Sequence, residues 1–441
     1  MSAIRLPGDH PARTLLANEV HARPPAPVSA PAAVSGLALL GASPGESYAH
    51  LRALAATAGQ DLPETVPTHI VVDLGEVRIS WARHGEFVRF TFIHPLPGAT
   101  IEGLSVFPTA FDALPADWLA SLPGETIAAI DIALFPDCAD PLAIGPVTPW
   151  FDGSALAGAV ILDGAGRIFT DFLPRSDDGG ARRTRWIVLD TAMGPAQVAR
   201  VIQRVLEIEI YRMVALLALP LARTALPALE QIERRLAEIT AATAALHGEV
   251  DNVQSQREER RLLDELTRVA AEVENSVAET AFRFSAGQAY WKLVRSRVAE
   301  LREQRIGGMR TIGGFLGRRL APAMNSAAAA AQRQEELSAR IERASTLLRT
   351  RVDIALEEQN QKLLAAMDRR SQTSLRIQQA VEGLSVAAIT YYAASLVSYF
   401  VKPFKHVWPS LNTDWVVAGA IPVLAFASWR VLEKMRAGFH E

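Results

Sequence analysis

Two uncharged apolar runs toward the C-terminal end constrain this sequence more than any other feature. Leu384 to Val401 (LSVAAITYYAASLVSYFV) is 18 residues without a formal charge, about 27 Å as a helix and long enough to cross the hydrocarbon of a bilayer. Trp415 to Trp429 (WVVAGAIPVLAFASW) is a second uncharged run, extendable past Arg430 through Val431 and Leu432. Trp408, Trp415 and Trp429, with Tyr391, Tyr392 and Tyr399, supply aromatic residues for the two interfaces of a membrane. A buried hairpin of a water-soluble domain would also accommodate the shorter run, and Pro422 kinks a helix of either kind. The length of the first run favours two membrane spans.

The flanks orient them. Arg369, Arg370 and Arg376 precede the first run and Arg430, Lys434 and Arg436 follow the second, whereas the connection holds only Lys402 and Lys405. The positive-inside rule then puts both termini in the cytoplasm. Met1 to Val20 contains Arg5, Asp9, His10 and Arg13 but no apolar core of a signal peptide, so a cleaved leader is not expected. The expected location is a membrane crossed twice, with the lipid bilayer as a partner.

Composition narrows the rest. With 45 Lys+Arg against 48 Asp+Glu the chain has no basic field, which argues against nucleic acid as a partner. Hydrophobic residues at 49% and charged residues at 21% exclude a disordered chain. Cys138 is the single cysteine, so there is no internal disulfide and no cysteine-based zinc site.

Residues 1–190 are rich in Pro and Gly and read as an α+β domain with a mainly antiparallel sheet. Strands are expected at Gly36–Leu40, Thr68–Asp73, Val77–Trp81, Phe87–Ile93, Thr126–Leu134, Ala159–Leu162, Arg167–Phe172 and Trp186–Leu189, the second pair of which alternates with the period of a half-buried strand. Helices are expected at Glu46–Ala58 and Asp117–Leu122.

From residue 191 to 383 the pattern is helical. Gln197 to Leu219 reads as a helix stopped by Pro220, its Arg204, Glu207, Glu209 and Arg212 spaced for i,i+3 ion pairs. Leu229, Ile232, Leu236, Ile239, Thr243, Leu246, Val250 and Val253 follow the 3-4 spacing of a left-handed coiled coil. The charged stretch Gln256–Arg261 is expected to break it, the rhythm resuming at Leu262, and a third helix is expected over Ala286–Arg305. The last helix starts near Pro322 and continues into the first apolar run. Its Ala344, Leu348, Val352, Ala355, Gln359, Leu363 and Ala366 step 4-4-3, a repeat of 11 that winds nearly straight. Roughly 75 residues at 1.5 Å make a stalk on the order of 110 Å, a length suited to association between copies. The organisation expected is therefore a cytosolic α+β domain (1–190), a coiled-coil stalk (191–383), a first span (384–401), a short outer loop (402–414), a second span (415–432) and a cytosolic tail (433–441).

Chemical motifs are sparse. No G-x-S-x-G, Walker A, dinucleotide or H-E-x-x-H pattern occurs, so no catalytic residue is assigned and the chain is not read as an enzyme. Glu19 and His21 admit either a turn before the Pro-rich Pro24–Pro25 or part of a metal or acid/base site; His84 with Glu86 is a weaker candidate of the same kind. Between Arg305 and Arg319, five glycines alternate with Arg305, Arg310, Arg318 and Arg319. Freed amides and guanidinium groups of this kind can hold an anion; a tight reversal between long helices explains the same residues. In the first run, Ala388, Tyr391, Tyr392, Ser395, Ser398 and Tyr399 share a face, which suits close helix packing or a narrow pore with Tyr391, Ser395 and Ser398 toward its axis.

The segments Asn18–Pro24, Gln203–Met213 and Val381–Ile389 resemble those of an uncharacterised bacterial family, the domain of unknown function 3422, over almost the whole chain. The overall plan, a cytosolic α/β domain, a long helix entering the first of two C-terminal spans and a basic tail, is similar to that of the CorA-type magnesium transporters. Their Gly-Met-Asn signature is replaced here by Ser398-Tyr399-Phe400-Val401, and the connection carries Lys402, Lys405 and His406 with only Asp414. The second resemblance implies a homo-oligomer joined through the stalk and an ion channel, transporter or regulator, with a divalent cation as the implied ion and no cofactor identified. A membrane-tethered scaffold without transport is the alternative.

Overall fold

The computed structural model describes residues 9–13, 16, 25–137, 144–151, 156–176, 181–246, 253–402 and 413–437. Glu19 and His21, Cys138, and Lys405, His406 and Trp408 of the connection lie outside these residues. The chain falls into two compact units: Met1–Ala241 with Glu265–Arg343, and Ala242–Asp264 with Ala344–Glu441.

The first unit is α+β and is built on a nine-stranded sheet. Its strands are β1 (Ala32–Leu40), β2 (His69–Asp73), β3 (Arg78–Arg83), β4 (Phe87–Pro95), β5 (Glu125–Pro136), β6 (Ala157–Ile161), β7 (Gly166–Arg175), β8 (Arg183–Asp190) and β9 (Gln304–Arg305), in the order β2-β3-β4-β1-β5-β8-β7-β6-β9. Every neighbouring pair is antiparallel except β5 and β8, which are parallel. All eight expected strands form: β3 alternates and buries mainly one face, while β1, β4 and β5 are buried on both. The ninth comes from far along the chain and pairs with Ala159 and Val160.

Both faces of the central strands are covered. Val88, Phe90 and Phe92 of β4, with Ile79 and Trp81 of β3, pack beneath helix α1 (Pro44–Thr57) through Tyr48, Leu51 and Leu54. After the short α2 (Ala116–Ala120), helix α3 (Pro195–Leu216) covers the other face, where Val34, Ile130, Ile132, Trp186 and Val188 meet Ile202, Val205 and Leu206. Gly36 in mid-β1 permits this approach. A Cβ there would stand 2.4 Å from Leu206 Cδ2, inside any ordinary carbon–carbon contact.

The remaining helices are α4 (Ala218–Ala245), α5 (Val253–Glu300), α6 (Ile312–Arg319), α7 (Ala321–Val401) and α8 (Thr413–Ala437). Pro220 does not stop a helix but lies in the first turn of α4, and Pro322 lies in the first turn of α7, positions at which a missing N–H costs nothing. The stretch Gln256–Arg261 does not interrupt the chain; it lies within α5, which also contains the separately expected helix from Ala286 and ends at Glu300. Glu, Gln and Arg are good helix formers, and charge alone breaks nothing. Leu229, Ile232, Leu236 and Ile239 of the heptad run are buried.

In the second unit, Arg351 of α7 donates to the Thr243 carbonyl (3.0 Å) and reaches Glu259 at 4.0 Å, while Leu262 and Leu348 are buried. From Gln359 to Val381 every residue of α7 is exposed, and the helix continues unbroken to Val401.

Candidate functional site

Three places among the described residues gather the residues that stand out in the sequence. The first is a crevice between the sheet and α3, lined by Pro25, His69, Ser80, Arg89, Thr91 and Gln203 among others. Strand alternation turns His69, Ser80, Arg89 and Thr91 to the same side as α3. His69 Nε2 and Ser80 Oγ are 2.9 Å apart. Arg89 and Glu207 are both buried with charged atoms 3.9 Å apart, Gln203 donates to Glu207 at 2.8 Å, and Arg297 closes on the same carboxylate. Arg297 also donates to Glu300 (2.6 Å), which receives Arg204 at 2.9 Å and whose carboxyl is held below its ordinary range by these two arginines against the pull of burial. The i,i+3 pairing expected within α3 thus holds for Arg212 with Glu209, whereas Arg204 and Glu207 find partners on α5. The crevice has about 30 Å³ of water-accessible space. That is room for a water or two, against the roughly 300–1,000 Å³ of small-molecule sites. These charges act as a structural lock between sheet and helices.

The second place is the Gly/Arg junction. Thr311 caps α6 by accepting from Gly314 N–H (3.0 Å), and Glu303 accepts from Ile312 (2.7 Å) and Gly313 (3.0 Å). Burial pushes the Glu303 carboxyl up, against the lowering by those two amides. The amides at the start of α6 therefore already hold a carboxylate of the chain itself. Arg305, Arg310, Arg318 and Arg319 are all exposed. Glu303 was not among the residues singled out from sequence; its signal is a lone acid ahead of Thr311-Ile-Gly-Gly, whose Thr reads as a helix cap.

The third place is the apolar end of the second unit. α7 and α8 are long and apolar enough to cross a membrane. Tyr391 is 70% exposed, and Tyr392, Leu396, Tyr399 and Phe400 are exposed with it, as are Trp415, Val423, Phe426 and Trp429 of α8. Ser395 and Ser398 are half-buried. The hydroxyls of Ser385 and Thr390 bond the carbonyls of Val381 (2.8 Å) and Val386 (2.7 Å) one turn back, which satisfies them without water. At the end of α7 the Lys402 ammonium lies 5.1 Å from the Tyr399 ring centre.

His84 stacks on Phe87 at 4.5 Å, beside Glu86, which binds Arg283 of α5. Among the described residues no group of three or more His, Cys, Asp or Glu is placed to hold a metal ion.

A family model described as a protein of unknown function (DUF3422) matches residues 8–439. No curated protein and no solved structure matches the chain.

Proposed function

The chain belongs to the DUF3422 family, and from that premise we propose that it is a two-pass protein of the bacterial inner membrane, of CorA-like plan, whose copies assemble to conduct or regulate an ion. α7 and α8 are its membrane hairpin in this reading, and the upstream helices form the stalk. The supporting observation is α7 itself, one helix from Ala321 to Val401 whose apolar end presents large side chains outward. Such surface is unfavourable in water and favourable against lipid chains. The basic residues before Leu384 and after Trp429 keep both termini in the cytoplasm. The ion path follows the face of Tyr391, Ser395 and Ser398, whose hydroxyls are the groups on that face able to replace water around an ion.

The test is flux through vesicles reconstituted with the purified full-length protein, assayed with Mg²⁺ and with K⁺, alongside subunit number by native mass. Flux that Ser395→Leu abolishes while subunit number is unchanged is the expected result. Absence of flux for either ion, with activity in cells retained when an unrelated two-span hairpin replaces residues 384–432, would instead assign the spans to anchoring a scaffold.

A further inference from the structure

An α-helix with nothing packed against it is marginal in water, since most helical stability comes from burying an apolar face. The stretch of α7 from Gln359 to Val381 is in that condition, every residue exposed. It carries Asp368, Arg369, Arg370 and Arg376 and so belongs to the watery side of the apolar run. Yet it presents Leu363 (55% exposed), Met367 (68%), Ile377 (61%) and Val381 (57%) to solvent. Leu364 and Leu375 are exposed beside them, but these four fall on one line. Leu363, Met367, Arg370, Ser374, Ile377, Val381 and Leu384 are spaced alternately by four and three, the seam of a left-handed coiled coil. Asp368, Arg369 and Arg376 lie off this line, and the interval Arg370–Ser374 is its one polar part, the kind of layer that costs stability while setting register.

The same 4-3 line continues without a phase change through Ala388, Tyr391, Ser395 and Ser398. Whatever covers it must therefore pass from water to lipid at the height where α7 does. An antiparallel helix cannot, because it would set its charged part against the apolar run. We infer that residues 363–384 of α7 are the contact surface for a second copy of this chain, lying parallel and in register, so that each seam residue meets its own counterpart. The inference rests on the membrane reading above and supplies the partner surface that reading leaves open.

The experiment uses the full-length chain in its native membrane, with Cys138→Ser as background and single cysteines introduced by Leu363→Cys, Ile377→Cys, Gln372→Cys and Gln379→Cys. Oxidation should convert most of the first two variants to disulfide-linked dimers and leave the last two, on the opposite face, unlinked. Linkage at only one of Leu363 and Ile377, as an antiparallel crossing gives, or equal linkage at all four positions, overturns the inference; so does no linkage anywhere. Ile377→Asp combined with Val381→Asp should lower the subunit number of the inserted protein, and an unchanged number overturns the inference independently. Alkaline carbonate extraction separates the two readings. Protein that washes off the membrane refutes the spans, whereas protein that stays inserted without seam linkage refutes only the seam.

Discussion

Replacing Gly36 by alanine tests how closely α3 is seated on the sheet. In an unobstructed strand the change would stabilise by about 0.4–1 kcal/mol, through the reduced freedom of the unfolded chain. Here the new methyl would stand 2.4 Å from Leu206 Cδ2 and 3.4 Å from Ile130 Cδ1. Ordinary carbon contacts are about 3.5–4.0 Å, so the first overlaps by roughly 1 Å. β1 is held on both sides, by β4 and by β5, and cannot retreat, so the buried Leu206 must turn aside within the narrow crevice it borders. Overpacking of this kind costs about 1–3 kcal/mol. For a unit of this size that is a fall of roughly 2–8 °C in the midpoint of thermal unfolding. Leu206→Ala alone should cost about 2–5 kcal/mol through its cavity. The double variant should cost less than the sum by roughly 1–2 kcal/mol, since the methyl then fills space that the leucine vacates. Thermal unfolding of the full-length protein in one detergent, followed by near-ultraviolet circular dichroism, reads all four proteins. A stabilised Gly36→Ala variant, or strictly additive costs, would refute the argument that the missing side chain sets the distance between helix and sheet.

Trp186→Phe should destabilise by about 2 kcal/mol in a denaturant titration, because the indole N–H donates to the buried Glu209 carboxylate at 2.8 Å and bonds to charged groups are worth about 1.5–3 kcal/mol. Burial pushes the Asp131 carboxyl above its ordinary value of 3.8, against the lowering by Ser35, Thr109 and Arg183. The folded chain then holds that proton more firmly than the unfolded one. Its contribution to stability is full below pH 3.8 and lost as pH rises through the raised folded value. Asp131→Asn should remove this component from the pH profile of unfolding; an unchanged slope would contradict the assignment. Tyr290 is pushed up to about 12, first by burial and then by Glu86. Glu86→Gln should bring its ionisation to lower pH in a titration of tyrosinate absorbance.

Much of the architecture is written in local pattern. β3 and β4 alternate, β5 is an apolar run of strand length, and α3 carries an apolar stripe at helical spacing, so each announces its type and the side it buries. Partners are another matter. Period says which face is apolar and not what covers it. Arg204 and Glu207 stand three apart on α3, yet each pairs with a residue ninety or more positions later. β9 has two residues, too few for any period, and its place at the edge of β6 comes from the tertiary fold. The continuity of α5 was obscured by its charged stretch, which resembles a loop only if polarity is taken for irregularity. At the candidate sites the difference is sharper. The four arginines of the junction are conspicuous in sequence, but the carboxylate that occupies the amides beside them is one glutamate among many, and only the fold turns Glu303 toward Ile312 and Gly313.

The edge strand β9 has a consequence for synthesis. β6 cannot be paired on its outer side until Arg305 has left the ribosome, long after the eight other strands have emerged. Until then the sheet carries an open edge of the kind that invites pairing with other chains. Leu384 follows Arg305 in the order of translation, so the edge is covered before the first bilayer-length apolar run is made. The sheet-bearing unit can therefore finish folding in water before that apolar run has emerged, and the run meets its own surroundings with the sheet already closed.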